Sequence, residues 1–523
     1  MGLQVITGYP SSWRAPFVAM ELLLGQGPSS AGAGPREACY CGPMTSAGTW
    51  TANTLYQVFS EQDAINGAGA GSPLHRMIRM HLKANPNGRV YAVPYAASSG
   101  GSPVAATGTI TWATTPTASG QTRVTVCGEQ VSATFTTSST VTTIAADIRD
   151  KINAKVWLPV TATAAAGVLT LTAKIAGASQ GDGTVGVIRF RADIDAGKGT
   201  TVATSGAALG LGTGVAGADG TTTENANLTS ALAAVVASRL YYMGFSVWDT
   251  TNLTTIKTHV VNKNAPSPGL NTRAFTGYTS TLSAGLTVAN NKNTEYMHIA
   301  WQKNSEHDTA ELAAGLMAIT QLKEQLDSAY PGFDAYSSDG WLILPAYAVA
   351  DWPTEQDKND AVTGGLCCIA SNTVKSFLVM HVTTRSKDST GTINDFRATE
   401  SHRVSVMHDM RDTILLNHYL QFTAKGFKLQ DDLYLPDGTV DTNSVLTLAT
   451  DVMTPSRYKP WFFDQLRQFT QGRARIQRLA DWLASTRVNI DPQNSSRLEV
   501  GSSGRVIDLF HQASFRISET SPG

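Results

Sequence analysis

The stretch at residues 504–518 alternates between apolar and polar side chains with a period of two. The apolar residues on one face are Ile507, Leu509, Ala513, Phe515 and Ile517. This alternation predicts a β-strand with one buried face. The backbone of such a strand is satisfied only when the strand pairs with another one. We therefore expect the segment to join a sheet.

Helical and extended patterns alternate over residues 72–96 and again over 227–349. In the first stretch, Leu74, Met77 and Ile78 share a helical face, the turn at 86–88 ends the helix, and a strand begins at Val90. In the second stretch, Ser305 can cap a helix with an apolar stripe that continues to 326. Strands that alternate with helices predict a layered α/β sheet.

Residues 108–193 have a different character, because they are rich in Thr, Val and Ala and carry few charges. Five short alternating stretches predict strands, and Ile144, Ile148, Ile152 and Val156 predict one helix among them through their spacing of four. The segment therefore indicates a β-rich domain inserted into a larger one. Residues 194–226 are rich in Gly and Thr and are typical of a linker or loop.

After residue 350 we predict a strand, a long helix over 400–424, one or two helices over 457–486 and the terminal strand. The predicted fold class is a multi-domain α+β or α/β protein, with a layered α/β core, an inserted β-rich domain and extended N- and C-terminal arms. The expected divisions are 1–20 (N-terminal arm), 21–107 (first part of the core), 108–193 (inserted domain), 194–226 (linker), 227–349 (α/β domain), 350–503 (C-terminal inner domain) and 504–523 (C-terminal arm).

Composition narrows the possible partners. The chain has 40 Lys and Arg against 41 Asp and Glu, so no net charge draws it to nucleic acid or to an anionic membrane. Only 15% of its residues are charged, against a typical value of about 25%. A surface with few charges suits a protein that buries much of itself in contacts with other chains, and it also suits some secreted proteins. No apolar stretch approaches the roughly 20 residues of a membrane span, and the N-terminus lacks the pattern of a signal peptide.

The chain has five cysteines, and their spacing fits no zinc site. Cys39, Cys41, Cys127, Cys367 and Cys368 are an odd and scattered set, so we expect reduced structural thiols in a cytosol-like compartment. Three histidines at 402, 408 and 418 fall on one predicted helix, but their spacing does not place them at metal-ligand distance. We expect no metal and no cofactor.

Two short motifs point to enzymes but lack the required context. Residues Gly177–Gly181 fit the G-x-S-x-G nucleophile elbow with Ser179 as the nucleophile, which needs a helix directly after the serine. A turn into another strand follows instead, so a loop is the preferred interpretation. Residues Gly212–Gly217 fit G-x-G-x-x-G, but no strand precedes them directly and no helix follows at once. A flexible linker is preferred there, and no catalytic residue is predicted.

One charged segment is distinctive. Between residues 456 and 489, seven basic residues face only two acidic ones, which gives a net charge of +5 in a nearly neutral chain. A solvated face and a surface that docks on an acidic partner both remain open. The candidate contact residues within this segment are Arg467, Arg473, Arg475 and Arg478.

Several separated stretches resemble, in the same order, the contractile-tail sheath proteins of bacteriophages, particularly the Mu-like type. They are GSPLHRMIRMHLKANPNGRVYAVPY, AKIAGASQGDGTVGVIRFR, FSVWDTTNLTTIKTHVV, NTEYMHIAWQ, VTTRSKDSTGTINDFRATESHRVSVMHDMRDTIL and SSRLEVGSSGRVIDLFHQASFRI. The order and spacing of these stretches make the resemblance specific, and together they span most of the chain.

The resemblance implies a structural, non-enzymatic subunit of the virion that is made late and assembled in the host cytoplasm. Its copies would form a helical sheath of stacked, hexameric rings around a tail tube, joined by exchanged terminal strands. Contraction would drive the tube through the host envelope for genome ejection. The implied partners are sibling subunits, the tube protein, and baseplate and tail terminator proteins, with no direct contact to nucleic acid and no membrane insertion. The basic segment would contact the tube.

Two other classes of protein remain as alternatives. One is a different extracellular or virion β-rich structural or adhesive protein, which would explain the Thr/Gly-rich strands but not the long helices after residue 400. The other is an α/β hydrolase, which would need a converging nucleophile, base and acid.

Overall fold

A computed structural model describes residues 36–181, 188–205, 210–267, 269–329, 348–373, 376–387, 399–441, 451–471 and 474–508. The predicted N-terminal arm and most of the predicted C-terminal arm lie outside these residues. The described residues divide into two compact units. The larger unit comprises 36–326 and 348–404, and the smaller one comprises 405–508 with 327–329.

The larger unit contains fifteen strands and eight complete helices among the described residues. Its strands are β1 (Ala38–Met44), β2 (Tyr56–Val58), β3 (Val90–Ala96), β4 (Thr107–Ala113), β5 (Gly120–Val126), β6 (Glu129–Phe135), β7 (Val160–Ala165), β8 (Val168–Ala173), β9 (Phe190–Ile194), β10 (Thr201–Thr204), β11 (Tyr242–Phe245), β12 (Arg273–Tyr278), β13 (Met297–Trp301), β14 (Cys367–Ser371) and β15 (Ser376–Leu378). Its helices are α1 (Glu61–Ala68), α2 (Pro73–Ala84), α3 (Val141–Ala154), α4 (Glu224–Ala234), α5 (Thr250–Asn264), α6 (Leu282–Lys292), α7 (Thr309–Leu326) and α8 (Glu355–Thr363).

The smaller unit has short strands and three longer helical segments. Helix α9 (Ser401–Gln421) starts in the larger unit and continues into this one, and α10 (Pro455–Gln468) and α11 (Leu479–Ser485) follow. The strands are β16 (Lys428–Leu429), β17 (Val452–Met453), β18 (Ile476–Gln477), β19 (Arg487–Asp491), β20 (Asn494–Gly501) and β21 (Arg505–Val506). In the part of the chain that is described, no helix is long and apolar enough to cross a bilayer.

An eight-stranded sheet in the order β15-β14-β13-β12-β11-β1-β3-β2 organises the larger unit. Six central strands, from β14 to β3, are parallel, and the short strands β15 and β2 pair antiparallel at the two ends. Helices α2 and α7 pack on each other and on the sheet, while α4, α5, α6 and α8 form a second connected group. The predicted layered α/β core is confirmed. A parallel sheet needs cover on both faces, which explains its nearly uninterrupted apolar strands.

The residues between β3 and α4 build two smaller sheets. These have the orders β10-β4-β8-β7 and β6-β5-β9, and α3 packs against both. Ile144, Ile148 and Ile152 are buried as the pattern predicts. Val156 is 46% exposed, because the helix ends at Ala154 before reaching it. The segment 108–193 is therefore β-rich as predicted, and it has its own apolar core.

The Gly/Thr-rich segment after β10 is not a free linker where it is described. The backbone N–H groups of Gly212 and Gly214 both donate to the carbonyl of Thr107, at 2.9 and 3.1 Å, and that of Gly217 donates to Gly181 at 2.8 Å. A Cβ atom on Gly217 would lie 2.3 Å from the carbonyl oxygen of Gly177. Glycine is therefore required here for close packing of two backbones, which corrects the interpretation of the G-x-G-x-x-G motif as a flexible linker.

Two further expectations differ from the structure. The division placed at residue 350 does not end the core, because β14 and β15 extend the same eight-stranded sheet. The extent of the sheet depends on hydrogen bonds between strands that are distant in sequence, and no local pattern indicates such pairing. The cap of α7 is also different from the one predicted. Asp308, rather than Ser305, accepts the N–H of Glu311 at 2.8 Å.

A buried ionic network ties α7 to the sheet. Glu324 on α7 accepts hydrogen bonds from Arg36 at 2.8 Å, from the hydroxyl of Tyr242 at 2.8 Å, and from Arg273. All four side chains are almost completely buried. Burial alone would raise the pKa of Glu324, but the Arg273 and Arg36 guanidiniums hold that pKa below its ordinary value. The carboxylate is therefore charged and stabilises two buried cations.

A second buried carboxylate lies where the inserted strands rejoin the core. Glu224, the first residue of α4, accepts a hydrogen bond from Tyr95 at 2.8 Å. Burial, together with the neighbouring carboxylates of Asp219 and Asp249, raises the pKa of Glu224 to about 7, although the hydroxyls of Ser179 and Tyr95 act in the opposite direction. Glu224 is therefore mainly protonated in the folded protein below about pH 7.

We expect Glu224→Gln to remove a pH dependence of stability. Because the folded-state pKa lies above the unfolded one, this group's contribution is complete below about pH 4.5 and is lost as the pH rises through about 7. Between pH 4.5 and pH 8, the free energy of unfolding of the variant should therefore rise by roughly 3 kcal/mol relative to that of the wild type. Urea unfolding of both proteins across this range measures the difference. Parallel curves of unfolding free energy against pH would contradict the assignment.

Candidate assembly surfaces

The predicted terminal strand begins inside the smaller unit. Its first residues form β21, which pairs antiparallel with β18 in the register Ile476–Val506 and Gln477–Arg505. The N–H of Ile507 donates to the carbonyl of Arg475 at 2.9 Å, and its side chain packs with Val506. Leu509, Ala513, Phe515 and Ile517 lie outside the described residues, so the partner of that part of the strand remains a prediction.

A close contact with Trp482 positions the start of this strand. The Trp482 side chain is fully buried, and its indole N–H donates to the carbonyl of Gln477 at 3.2 Å. A Cβ atom added to Gly504 would lie 2.4 Å from the same ring. Glycine at this position therefore lets the chain pass over the tryptophan and enter β21 beside β18.

All three sheets of the smaller unit have two strands. Strand β16 pairs with β17, β18 with β21, and β19 with β20. Within the described residues no third strand is hydrogen-bonded to any of these pairs. Two-stranded sheets gain stability from further strands, and an extended segment of another chain can add at a sheet edge. These three pairs are therefore the candidate sites of strand addition.

The hairpin of β19 and β20 was not predicted, although the sequence contains its pattern. Val488 and Ile490 alternate with polar residues on one strand, and Leu498 and Val500 do so on the other. In the structure Val488 lies opposite Val500 and Ile490 opposite Leu498. The sequence DPQN between the strands is a turn signal.

Aromatic packing holds α9 and α10 together within the smaller unit. The imidazole of His418 forms a hydrogen bond of 2.9 Å with the hydroxyl of Tyr458, and Phe422 and Trp461 pack edge to face with a centroid distance of 4.9 Å. Burial lowers the pKa of His418 and raises that of Tyr458. The histidine is therefore a neutral packing residue.

The same unit has apolar side chains on its surface. On α9, Leu416, Tyr419 and Leu420 follow the spacing of one helical face, and each is more than half exposed. A short hairpin closed by the bridge between Tyr434 and Val440 exposes Leu433, Tyr434 and Leu435. Clustered exposed apolar residues are typical of protein contact surfaces. The smaller unit therefore offers both sheet edges and apolar patches for assembly.

The candidate tube-contact arginines are in different environments. Arg467 on α10 is exposed and lies 2.5 Å from Asp464, and Arg478 is exposed at the start of α11. The Arg475 side chain is mostly buried, with its Nε 3.9 Å from Asp327, and its carbonyl accepts the Ile507 N–H. Arg473 lies outside the described residues. The accessible members of the set are therefore Arg467 and Arg478.

The candidate nucleophile Ser179 sits in a single-turn 3-10 helix, Ala178–Gln180, that follows β8. Its hydroxyl accepts a hydrogen bond from the Gln180 side chain at 2.9 Å, and its carbonyl accepts one from the Trp248 indole at 3.1 Å. The side chain is buried at 8% exposure. These contacts give the serine a packing role at the junction with Glu224.

One group of side chains in the larger unit could hold a metal ion. The ligand atoms of His298, Cys367 and His381 all lie within 4.8 Å of one another, and all three residues are buried. No other such group occurs among the described residues. The sequence analysis did not identify it, because the three residues are far apart in the chain and come together only when β13 pairs with β14.

The fold defines a multi-domain α/β protein with an inserted β-rich module and a C-terminal unit of helices and two-stranded sheets. No protein-family model and no curated protein matches the chain. Among solved structures, it is similar to a sheath tail protein from Desulfitobacterium hafniense, with 12% identity, a TM-score of 0.43, and coverage of 95% of this chain and 100% of that one. It is also similar to a sheath tail protein from Listeria innocua, with 12% identity, a TM-score of 0.44, and coverage of 91% and 93%. These two similarities concern the fold.

Proposed function

We propose that the chain is a structural subunit of a contractile bacteriophage tail sheath. Its copies polymerise helically around a tail tube, and their contraction drives the tube through the host envelope for genome ejection. The observation that supports this most directly is the terminal segment. It starts as a strand at Arg505 on a two-stranded sheet, and its alternating pattern continues to Ile517. The ordered resemblance of the sequence to sheath proteins supplies the biological setting.

The proposed linkage is the addition of one subunit's terminal strand to a sheet edge of a neighbour. A strand of about ten residues makes roughly five hydrogen bonds across the contact, each worth about 1 kcal/mol net. Burial of Leu509, Phe515 and Ile517 contributes about 2 kcal/mol each when it is complete. Donor and acceptor surfaces differ, so the contact is heterologous and propagates from copy to copy. Such contacts build rings and helices rather than closed dimers.

Contraction needs no chemical step in this proposal. The extended lattice is metastable, and the baseplate triggers a rigid-body rearrangement of the subunits into a shorter and wider packing. Strand linkages persist through the change and keep neighbouring subunits connected. The subunit is then a virion component that acts with sibling subunits, tube, baseplate and terminator proteins, without catalysis and without a cofactor.

Electron microscopy of the purified chain tests the proposed function. A sheath subunit should form tubular polymers or stacked rings by itself as its concentration rises, because each copy carries both halves of the linkage. An enzyme or an adhesin of this composition should remain monomeric or form a small closed oligomer. A chain that stays monomeric at every concentration, while circular dichroism shows it folded, would rule the proposal out.

Within this proposal, the basic segment of the smaller unit contacts the tube through Arg467 and Arg478. We expect the variant with Arg467→Glu and Arg478→Glu to polymerise normally alone, but to give few tails of normal length when it replaces the wild type in particles. The reason is that charge reversal weakens a polar contact with an acidic tube surface while leaving the contacts between subunits intact. Negative-stain counts of tails measure the effect. Arg89→Glu, which reverses an exposed charge of the larger unit, is the matched control. Normal tails from the double variant would refute the contact.

A further inference from the structure

Three buried side chains converge at one part of the eight-stranded sheet. His298 lies in β13, Cys367 begins the adjacent parallel strand β14, and His381 follows β15. Their ligand atoms lie within 4.8 Å of one another. The two imidazole rings have centroids 4.7 Å apart, and Phe275 stacks on His298 at the same centroid distance. Two nitrogen donors and one sulfur donor therefore lie close together in the buried interior.

Two of the three residues bond to one backbone carbonyl, while the Nε2 atoms of both histidines have no hydrogen-bond partner. The carbonyl oxygen of Val382 lies 2.8 Å from His298 Nδ1 and 3.0 Å from the Cys367 sulfur. A carbonyl only accepts, so His298 carries its proton on Nδ1 and keeps a lone pair on Nε2. An imidazole that donates one N–H to a backbone carbonyl is typical of metal-binding histidines. The Nε2 atoms of His298 and His381 are buried and have no hydrogen-bond partner.

The electrostatics restrict the charge of the ion. Burial, with the nearby Arg273 guanidinium, lowers the pKa of both imidazoles well below the ordinary value, so both are neutral ligands. The Cys367 thiol donates its hydrogen to the carbonyl of Val382 at 3.0 Å, so an ion that binds the sulfur must displace this proton. A divalent ion bound to a thiolate would leave a buried positive charge close to Arg273. A monovalent ion with a thiolate leaves none.

We propose that His298, Cys367 and His381 bind one Cu(I) ion in a three-coordinate site. One cysteine with two histidines is the trigonal donor set of copper proteins, and thiolates favour Cu(I). Binding exchanges the thiol proton for the ion. The S–H bond breaks, the Cu–S bond forms, the proton leaves to solvent, and the copper keeps its oxidation state. The ion would join β13, β14 and the segment after β15.

Metal loading of the full-length chain tests this site. The reduced protein is mixed anaerobically with Cu(I) in the presence of a competing Cu(I) chelator, desalted, and analysed for copper per chain. We expect one copper per chain, and an X-ray absorption spectrum with one sulfur and two nitrogen neighbours. Copper retention by Cys367→Ser should be lower than that of the wild type by about tenfold or more. Cys368→Ser is the matched control, because it removes the adjacent buried thiol that points to the other face of the strand and should leave copper binding unchanged.

Further variants keep the test decisive. His381→Gln removes a ligand without touching a thiol, and should also lose copper if Cys367→Ser fails to fold. Zn(II) offered under the same conditions should not be retained. The proposal is overturned if the wild type binds no copper, if Cys367→Ser binds as much as the wild type, or if the chain retains zinc instead. None of these outcomes bears on sheath assembly, which microscopy of polymers measures separately.

Discussion

Glu324→Gln is expected to lower the free energy of unfolding of the larger unit by about 3–5 kcal/mol, the usual cost of breaking a buried ion pair from one side. The substitution keeps the shape of the side chain and removes only its charge. Arg36 and Arg273 would then remain buried without the carboxylate that both contact. Since whole domains are stable by only about 5–15 kcal/mol, the effect is a large share of the total.

The midpoint of urea unfolding, followed by circular dichroism, measures this loss. Glu355→Gln is the matched control, because the same chemical change is made at a side chain that is 90% exposed and paired with Lys358 on the surface of α8. Exposed pairs contribute under about 1 kcal/mol. Equal shifts of the midpoint in the two variants would show that the network does not stabilise the fold through its charges.

The variant with Phe515→Asp and Ile517→Asp is expected to stop polymerisation of the chain, if the proposed strand exchange is correct. Each substitution removes about 2 kcal/mol of apolar burial and places a charge in the contact. The concentration needed for polymers should therefore rise by about three powers of ten. Sedimentation of polymers over a range of protein concentrations, with microscopy of the pellets, measures the change.

A matched control uses the polar face of the same strand. Gln512→Asp with Ser514→Asp adds the same charge at alternate positions that face away from the apolar side. This control should polymerise close to normally. If both double variants polymerise like the wild type, the terminal segment is not the linking strand. If neither double variant polymerises, the added charge rather than the loss of apolar burial causes the defect.

Local patterns in the sequence predicted the elements that depend on neighbours along the chain. The period of four in 144–152 predicted α3, and the period of two predicted the strands of the inserted module, because burial of one face is written directly into such repeats. Strand β21, Arg505–Val506, lies at the start of the predicted terminal strand, whose continuation stays a prediction. The prediction that Val156 belongs to this helix was wrong, because the helix ends at Ala154. A helix boundary depends on capping rather than on the spacing of apolar residues.

The candidate surfaces could be predicted only in part. Alternation at the C-terminus indicated a strand that needs a partner, and the charge count marked the basic segment. The burial of Arg475 beside Asp327 was not predictable, because these residues are distant in sequence and meet only after folding. The pairing of β18 with β21 and of β19 with β20 likewise joins separate segments, and no single segment contains that information.

For this protein, the sequence alone determined the α/β character and the β-rich insertion, since each arises from local periodicity or composition. Tertiary structure alone decided that β14 and β15 complete the core sheet, that Gly217 packs on a neighbouring backbone, and that His298, Cys367 and His381 share one buried site. The physical reason is the same in each case. Pairing and burial between residues far apart in the chain depend on three-dimensional packing, which short-range patterns do not encode.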